Sequence, residues 1–376
     1  MIENLFLCNR CIKDTKLMLY FSTQPQMKEK CSFCNEIDQT CLDVSYNNSS
    51  FNNFLTALIR YYYSEDLYNR HWGGENIESF FLEENDIFNY DMMKDNKEID
   101  YVIEALGCML GEHYMYDKDG VCLYYGDVDG TRGCYFESIK DTYNHYLRKV
   151  ESKLLKENYF LFEGDVKDKL TNYKKDFKDV LLKSSTFFRA RIGYETKVKV
   201  DAFLQPCINY IPYSKDQISA PATKLVTAGR LNRQGVSFLY LATNIDTAIN
   251  EVRPDPGHKV SIGKFNAIKD LSIVDFDRAF INMSDTEKSL KNFEFLNHID
   301  QLFSRPITQD ERHKYIITQF FADIFRKLGF DGVKFTSSVG SGKNLLIFNP
   351  KDFEYIDSEE NKVYDVLKLR YTTKAL

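Results

Sequence analysis

Two short cysteine pairs near the start of the chain, Cys8-Asn9-Arg10-Cys11 and Cys31-Ser32-Phe33-Cys34, constrain its fold more than any other feature. Two residues between thiols let one tight turn present both sulfurs to a single ion, and a second such turn completes a tetrahedron. Nineteen residues separate the pairs, within the range of four-thiolate zinc sites. The spacing predicts a small zinc knuckle with structural Zn2+ held by Cys8, Cys11, Cys31 and Cys34. Four thiolates leave no open coordination position, which argues against a catalytic metal. Two disulfides, or four unrelated buried thiols, are the other readings. No basic region followed by an apolar one opens the sequence, so a secretory signal is not expected. A reducing, cytoplasmic compartment is the matching expectation, and disulfides fit it poorly. The other five cysteines, Cys41, Cys108, Cys122, Cys134 and Cys207, show no ligand spacing and are expected to be small buried hydrophobes.

The rest of the chain reads as two further parts. With 376 residues, 43% of them hydrophobic and 28% charged, it can build several packed cores. A formal net charge of −6 argues against a generally basic nucleic-acid binder, though not against a local patch. Arg10, Lys13, Lys16, Lys28 and Lys30 form such a modest cluster, offering a weak nucleic-acid contact or simply a solvated face. No apolar run approaches the roughly 18 residues of a membrane helix. Aromatics reach 15% and are expected mostly in the core.

After the knuckle (1–45), a polar stretch from Ser45 to Asn53 reads as a linker or helix entry. A mostly α-helical middle part then spans 46–184. Phe54, Leu55, Leu58, Ile59 and Tyr62 fall at helical spacing, as do Ile99, Val102, Ile103, Leu106 and Leu110. Helical runs are expected over Glu137–Phe162 and Asp165–Leu182, with a hairpin or irregular insert over Tyr114–Gly130. From Thr186 the pattern changes to strands with interspersed helices, an α+β domain over 185–376. Strands are expected at Thr186–Ile192, Val236–Ala242, Lys259–Phe265, Leu271–Phe276, Gly332–Phe335 and Asn344–Phe348. Asn244 caps a short helix ending at Glu251. A capping box at Thr308-Gln309-Asp310-Glu311 opens a helix with an apolar stripe from Ile316 to Leu328, which Gly329 stops.

Ordered landmarks in this last part resemble the RES family, whose fold is related to ADP-ribosyltransferase toxins. They are Phe188-Arg189-Ala190, then Gly229-Arg230-Leu231-Asn232, then Phe238–Ala242 leading to Thr247-Ala248-Ile249-Asn250-Glu251-Val252. Phe330–Ser338 and Gly342–Phe348 complete the series. The helical part resembles the HEPN-like domains often joined to RES domains.

The resemblance implies an enzyme that takes NAD as its substrate and cleaves the nicotinamide–ribose bond. It implies catalytic roles for Arg189, Glu251 and Ser337, and NAD contacts for Arg230, Tyr240 and Arg191. Guanidinium groups grip a pyrophosphate bidentately, and a fixed carboxylate stabilises an oxocarbenium-like ribose. Tyr240 would stack on the nicotinamide ring. Ser337, favoured over Ser338, would bind substrate or orient Glu251, and Arg191 shares a strand face with Arg189. Each has an ordinary reading too: ion pair, core ring, helix cap or loop polarity.

One departure bears on the acceptor. Transferases that modify arginine carry Gln or Glu two residues before the catalytic Glu, and here that residue is Ile249. NAD breakdown by water or phosphate is therefore favoured, with mono-ADP-ribosylation of a protein or nucleic acid as the alternative. As an NAD-depleting toxin or defence effector, such a chain implies a cognate antitoxin or regulatory protein. The HEPN-type ribonucleases that the helical part resembles place Arg and His about four to six residues apart on a helix. Only Arg253 and His258 have the spacing, and Pro254, Pro256 and Gly257 break any helix between them. A non-enzymatic zinc-dependent adaptor is the remaining reading.

Overall fold

The computed structural model of the chain describes residues 4–62, 64, 77–114, 137–200, 206–307 and 311–370. It divides into two compact units, Met1–Asn144 with Asp277–His298, and His145–Phe276 with Ile299–Leu376. No helix among the described residues is long and apolar enough to cross a membrane.

The first unit opens with a three-stranded antiparallel sheet in the order β1 (Phe6–Cys8), β3 (Gln39–Asp43), β2 (Met27–Glu29). Helix Thr15–Thr23 starts where the Asp14 carboxylate accepts the Leu17 N–H at 2.8 Å, an N-cap that satisfies an otherwise orphaned donor. The polar stretch beginning at Ser45 proves to be a helix entry. Asn48 accepts the Phe51 N–H, and helix Ser49–Tyr62 follows with Phe51, Phe54, Leu55 and Leu58 buried. Tyr20 stacks on Phe54 at 4.0 Å between centroids, joining the two helices. The insert expected over Tyr114–Gly130 lies outside the described residues beyond Tyr114. So do Cys122 and Cys134, and the side chains of Cys108 and Cys207; Cys41 is fully buried.

The second unit is built on a large mixed sheet. Its strands are β4 (Lys178–Leu181), β5 (Thr186–Ile192), β8 (Leu239–Ala242), β9 (Lys259–Ala267), β10 (Leu271–Asp275), β11 (Gly332–Thr336), β12 (Lys343–Ile347), β13 (Phe353–Ile356) and β14 (Val363–Asp365). The order is β13-β9-β5-β8-β12-β11-β10-β4, with β14 also on β9. Pair β10–β11 is parallel and the rest are antiparallel. A separate hairpin, β6 (Glu195–Val200) and β7 (Pro206–Ile211), was not anticipated.

Strand alternation sorts the core onto two faces. Phe187, Leu239, Leu241, Phe265, Ile273, Leu345 and Ile347 pack on one. Ala190, Ala242, Val260 and Ile262 pack with Ala248 of helix Ile245–Glu251 on the other.

Two expected helical runs are shorter than their periodicity suggested. Over Glu137–Phe162 the helix is only His145–Leu154, followed by a 3-10 turn at Tyr159–Leu161. Over Asp165–Leu182 the helix is Glu163–Asn172, and Lys178–Leu181 is a strand. Its pairing with Leu271–Val274 at the sheet edge outweighs local helical preference. Of the expected capping box Thr308-Gln309-Asp310-Glu311, residues 308–310 lie outside the described residues. The helix it was to open runs Tyr315–Lys327, and Gly329 at φ +84° ends it in the left-handed conformation that glycine adopts without penalty.

Strand β5 pairs with β9 at seven positions but with β8 only at Phe188↔Ala242. The sheet therefore opens between β5 and β8, and the candidate site lies beside that opening.

Candidate functional site

A cavity of about 670 Å³ lies in the second unit, lined by Arg189, Arg230, Tyr240, Glu251 and Asn344 among others. Each comes from a different part of the fold. Arg189 leaves β5, Tyr240 β8 and Asn344 β12, Glu251 ends helix Ile245–Glu251, and Arg230 sits in the loop before β8.

Arg189 spans the opening. Its Nη1 donates to the Tyr240 carbonyl at 2.8 Å, while its buried Nε has no partner among the described residues. Burial pulls the guanidinium down to about 10, with the neighbouring Arg191 adding repulsion and Tyr240 opposing both. It remains cationic at neutral pH, with an unsatisfied donor beside the cavity.

Tyr240 is held by its hydroxyl, which donates to Asn232 Oδ1 at 2.8 Å and accepts the Leu231 N–H at 3.3 Å. Burial pushes that hydroxyl above the ordinary phenol range. The ring thus forms cavity wall while the oxygen anchors the Gly229–Asn232 loop. Tyr240→Phe leaves Asn232 Oδ1 and the Leu231 N–H without this partner, and the expected loss is about 1–3 kcal/mol of unfolding free energy. Denaturant unfolding checks this, and a change below about 0.5 kcal/mol would place the hydroxyl outside the structural network.

The same loop is fastened to helix Tyr315–Lys327. Gln319 Nε2 donates to the Gly229 and Asn232 carbonyls at 2.7 and 3.1 Å, and Thr318 Oγ1 donates to the Arg230 carbonyl. Arg230 itself donates from Nη1 to the Phe303 carbonyl.

The Glu251 carboxylate is tethered through one oxygen. Oε1 accepts from Ser337 Oγ at 2.6 Å and from Asn344 Nδ2 at 2.7 Å; Oε2 has no partner among the described residues. Ser337 is positioned in turn by the Val339 and Gly340 N–H groups, which donate to its Oγ at 3.2 and 3.0 Å. The loop lies hard against the Glu251 helix. A Cβ on Gly340 would come within 2.6 Å of Thr247 Oγ1 and 2.9 Å of Thr247 Cα, so only glycine allows this approach. Thr247 Oγ1 also accepts the Gly342 N–H at 3.0 Å. Ser337, not Ser338, reaches the carboxylate; the Ser338 hydroxyl is buried without a partner among the described residues.

Arg191 is not brought to the cavity. It donates to the Gln217 carbonyl, and its guanidinium lies 5.0 Å from the centroid of the Tyr213 ring. Ile249, two residues before Glu251, packs against the Ala190–Ala242–Val260 core. Asn344, Asn232, Arg253 and Arg312 also line the cavity, and the sequence reading gave none of them a part in the NAD site. The signal for Asn344 is an amide opening the otherwise apolar run Leu345–Ile347.

In the first unit, Cys8, Cys11, Cys31 and Cys34 form a cluster whose sulfurs all lie within 4.8 Å of one another. The separations are 3.6 Å for Cys8–Cys11, 3.8 Å for Cys8–Cys34 and 3.9 Å for Cys11–Cys31. Tetrahedral zinc at about 2.3 Å from each sulfur requires roughly 3.8 Å between sulfurs, so the donor set fits that ion. The Cys8 N–H donates to Cys31 Sγ at 3.4 Å, as suits a thiolate. Hydrogen bonds from Cys11 and then Cys8 draw Cys31 down to about 2, while those same contacts and burial push Cys11 up. Asn96 braces the second turn, donating to the Ser32 and Phe33 carbonyls at 2.9 and 2.8 Å.

The cations of this segment are largely engaged within the unit. Arg10 pairs with Glu36, Lys13 with Asp86 and Lys16 with Asp277, and Lys28 donates to the Asp38 carbonyl.

No curated protein matches the chain. Among solved structures, a chain of the M. tuberculosis MbcT–MbcA toxin–antitoxin complex aligns over 53% of this chain and 92% of its own length, at 13% identity and a TM-score of 0.28. Residues 210–366 match the RES domain. That segment contains Arg230, Tyr240, Glu251, Ser337 and Asn344, and β5 with Arg189 precedes it in sequence while pairing with its strands β8 and β9.

Proposed function

We propose that the RES-bearing unit consumes NAD by cleaving the bond between nicotinamide and ribose. The observation that carries this reading is the half-tethered Glu251 carboxylate, its Oε1 held by Ser337 and Asn344 and its Oε2 free beside the cavity. As the bond breaks, positive charge develops on the ribose and nicotinamide leaves as a neutral base. A fixed carboxylate stabilises that charge and accepts a ribose hydroxyl. Arg189, with its orphaned Nε, and Arg230 supply cations for the pyrophosphate, and the Tyr240 ring offers a face to the nicotinamide.

Water or inorganic phosphate is the acceptor in this reading, giving ADP-ribose or its 1-phosphate together with nicotinamide. The apolar packing of Ile249 supports it over transfer to a protein, because no side chain at that position orients an incoming nucleophile. An enzyme that depletes NAD needs restraint in its own cell, so a regulatory protein that blocks the site belongs to the same proposal. In the first unit, the four-cysteine cluster holds zinc as a structural ion.

Purified protein incubated with NAD, with nicotinamide followed by chromatography, tests the reading. Release above a Glu251→Gln control supports it. Intact NAD would overturn it, and a stable ADP-ribosyl adduct on a partner would shift it to transfer.

A further inference from the structure

We propose that Asn344 is a positioning residue for the Glu251 carboxylate, as necessary as Ser337 for presenting Oε2 to the substrate; this rests on the reading of Glu251 as the catalytic carboxylate. Asn344 is 7% exposed and stands at the cavity wall. In register it lies opposite Ala242 on β8 and Phe335 on β11, whose side chains offer it no hydrogen bond. Its amide meets Glu251 Oε1 at 2.7 Å, alongside the 2.6 Å bond from Ser337.

Two donors on one oxygen do what a single donor cannot. Glutamate has three side-chain torsions, and one hydrogen bond leaves the carboxylate free to swing about the shared oxygen. The two donors here come from the loop after β11 and from β12, so they fix that oxygen from separate supports. The free oxygen is then held at the cavity. A misplacement of about 1 Å at a reacting centre costs on the order of 10²-fold in rate. A backbone amide could not substitute on β12, because its N–H groups lie in the plane of the sheet, whereas the Asn344 side chain stands out of it.

The test compares wild type, Asn344→Leu, Asn344→Asp and Glu251→Gln in steady-state nicotinamide release from NAD. Asn344→Leu should lower kcat by about 10- to 100-fold with KM changed by less than about threefold, since orientation rather than affinity is lost. Asn344→Asp preserves shape but places a second carboxylate against Glu251. It can donate only when protonated, so its activity relative to wild type should rise as pH falls. Among the described residues no carboxylate besides Glu251 lines the cavity, and Arg189, Arg230, Arg253 and Arg312 supply the charges of opposite sign.

A crystal structure of Asn344→Leu gives a readout independent of turnover, with the Glu251 carboxylate expected to leave hydrogen-bond reach of Ser337 Oγ. If Glu251→Gln is inactive but Asn344→Leu works within twofold of wild type, or if Glu251 keeps its place in that crystal structure, the positioning role is wrong. If Glu251→Gln retains full activity, the reading of Glu251 fails instead.

Discussion

Glu251→Gln is expected to reduce nicotinamide release from NAD by on the order of 10³-fold, equivalent to about 4 kcal/mol of transition-state stabilisation. The substitution is nearly isosteric. The glutamine carbonyl can still accept from Ser337 and Asn344 in the place of Oε1, so the supports of the side chain remain. What disappears is the negative charge at the cavity, the feature that separates the transition state from the ground state. Stability should barely change, with the thermal midpoint moving by less than about 2 °C, because Glu251 makes no ion pair among the described residues and is solvent-accessible. A large fall in kcat/KM at constant Tm is therefore the signature of a charge lost from the reacting centre. Retention of activity within tenfold would remove Glu251 from the chemistry.

The Glu251 site was legible in sequence as a set of residue types, and much less as an arrangement. Glu251 and Ser337 are 86 residues apart, and only the fold shows that one hydroxyl touches one carboxylate oxygen. The choice between Arg189 and Arg191 was undecidable from strand alternation, which places both on one side. The opening of the sheet at Phe188↔Ala242 separates them. Arg189 spans to the Tyr240 carbonyl, whereas Arg191 turns toward Tyr213. Asn344 stayed hidden because an amide entering an apolar strand has no local meaning until Glu251 arrives from another element. Helical periodicity over Asp165–Leu182 misled for a related reason. Lys178–Leu181 becomes a strand only because β10, some 90 residues away in sequence, offers it an edge. The cysteine pairs were readable because their geometry is local: each pair needs one turn, and the two turns meet across a short sheet in which Cys8 faces Cys41.

That cluster yields the second large expected effect. Metal analysis of the purified chain should find about one zinc per molecule, and Cys11→Ser should abolish retention. Cys11 is fully buried and 3.9 Å from Cys31 and 3.6 Å from Cys8, so its loss leaves three thiols without a fourth ligand. Without a cation the site is electrostatically poor. The Cys31 thiolate depends on donation from Cys11 and Cys8, and ionisation of Cys11 beside it is opposed first by its hydrogen bonds to Cys31 and Cys8, then by burial and repulsion. A divalent ion reverses that balance by attracting every thiolate at once. Structural zinc contributes on the order of 10 kcal/mol in isolated small domains, and a loss of even about 5 kcal/mol here would lower the midpoint of the first unit by roughly 10–20 °C. Chelation should produce the same fall in wild type and none in Cys11→Ser. Thiol titration under native conditions should find these four sulfurs unreactive until the chelator is added. Two disulfides by mass spectrometry, or an unfolding midpoint indifferent to chelator, would show that the cluster closes without a metal.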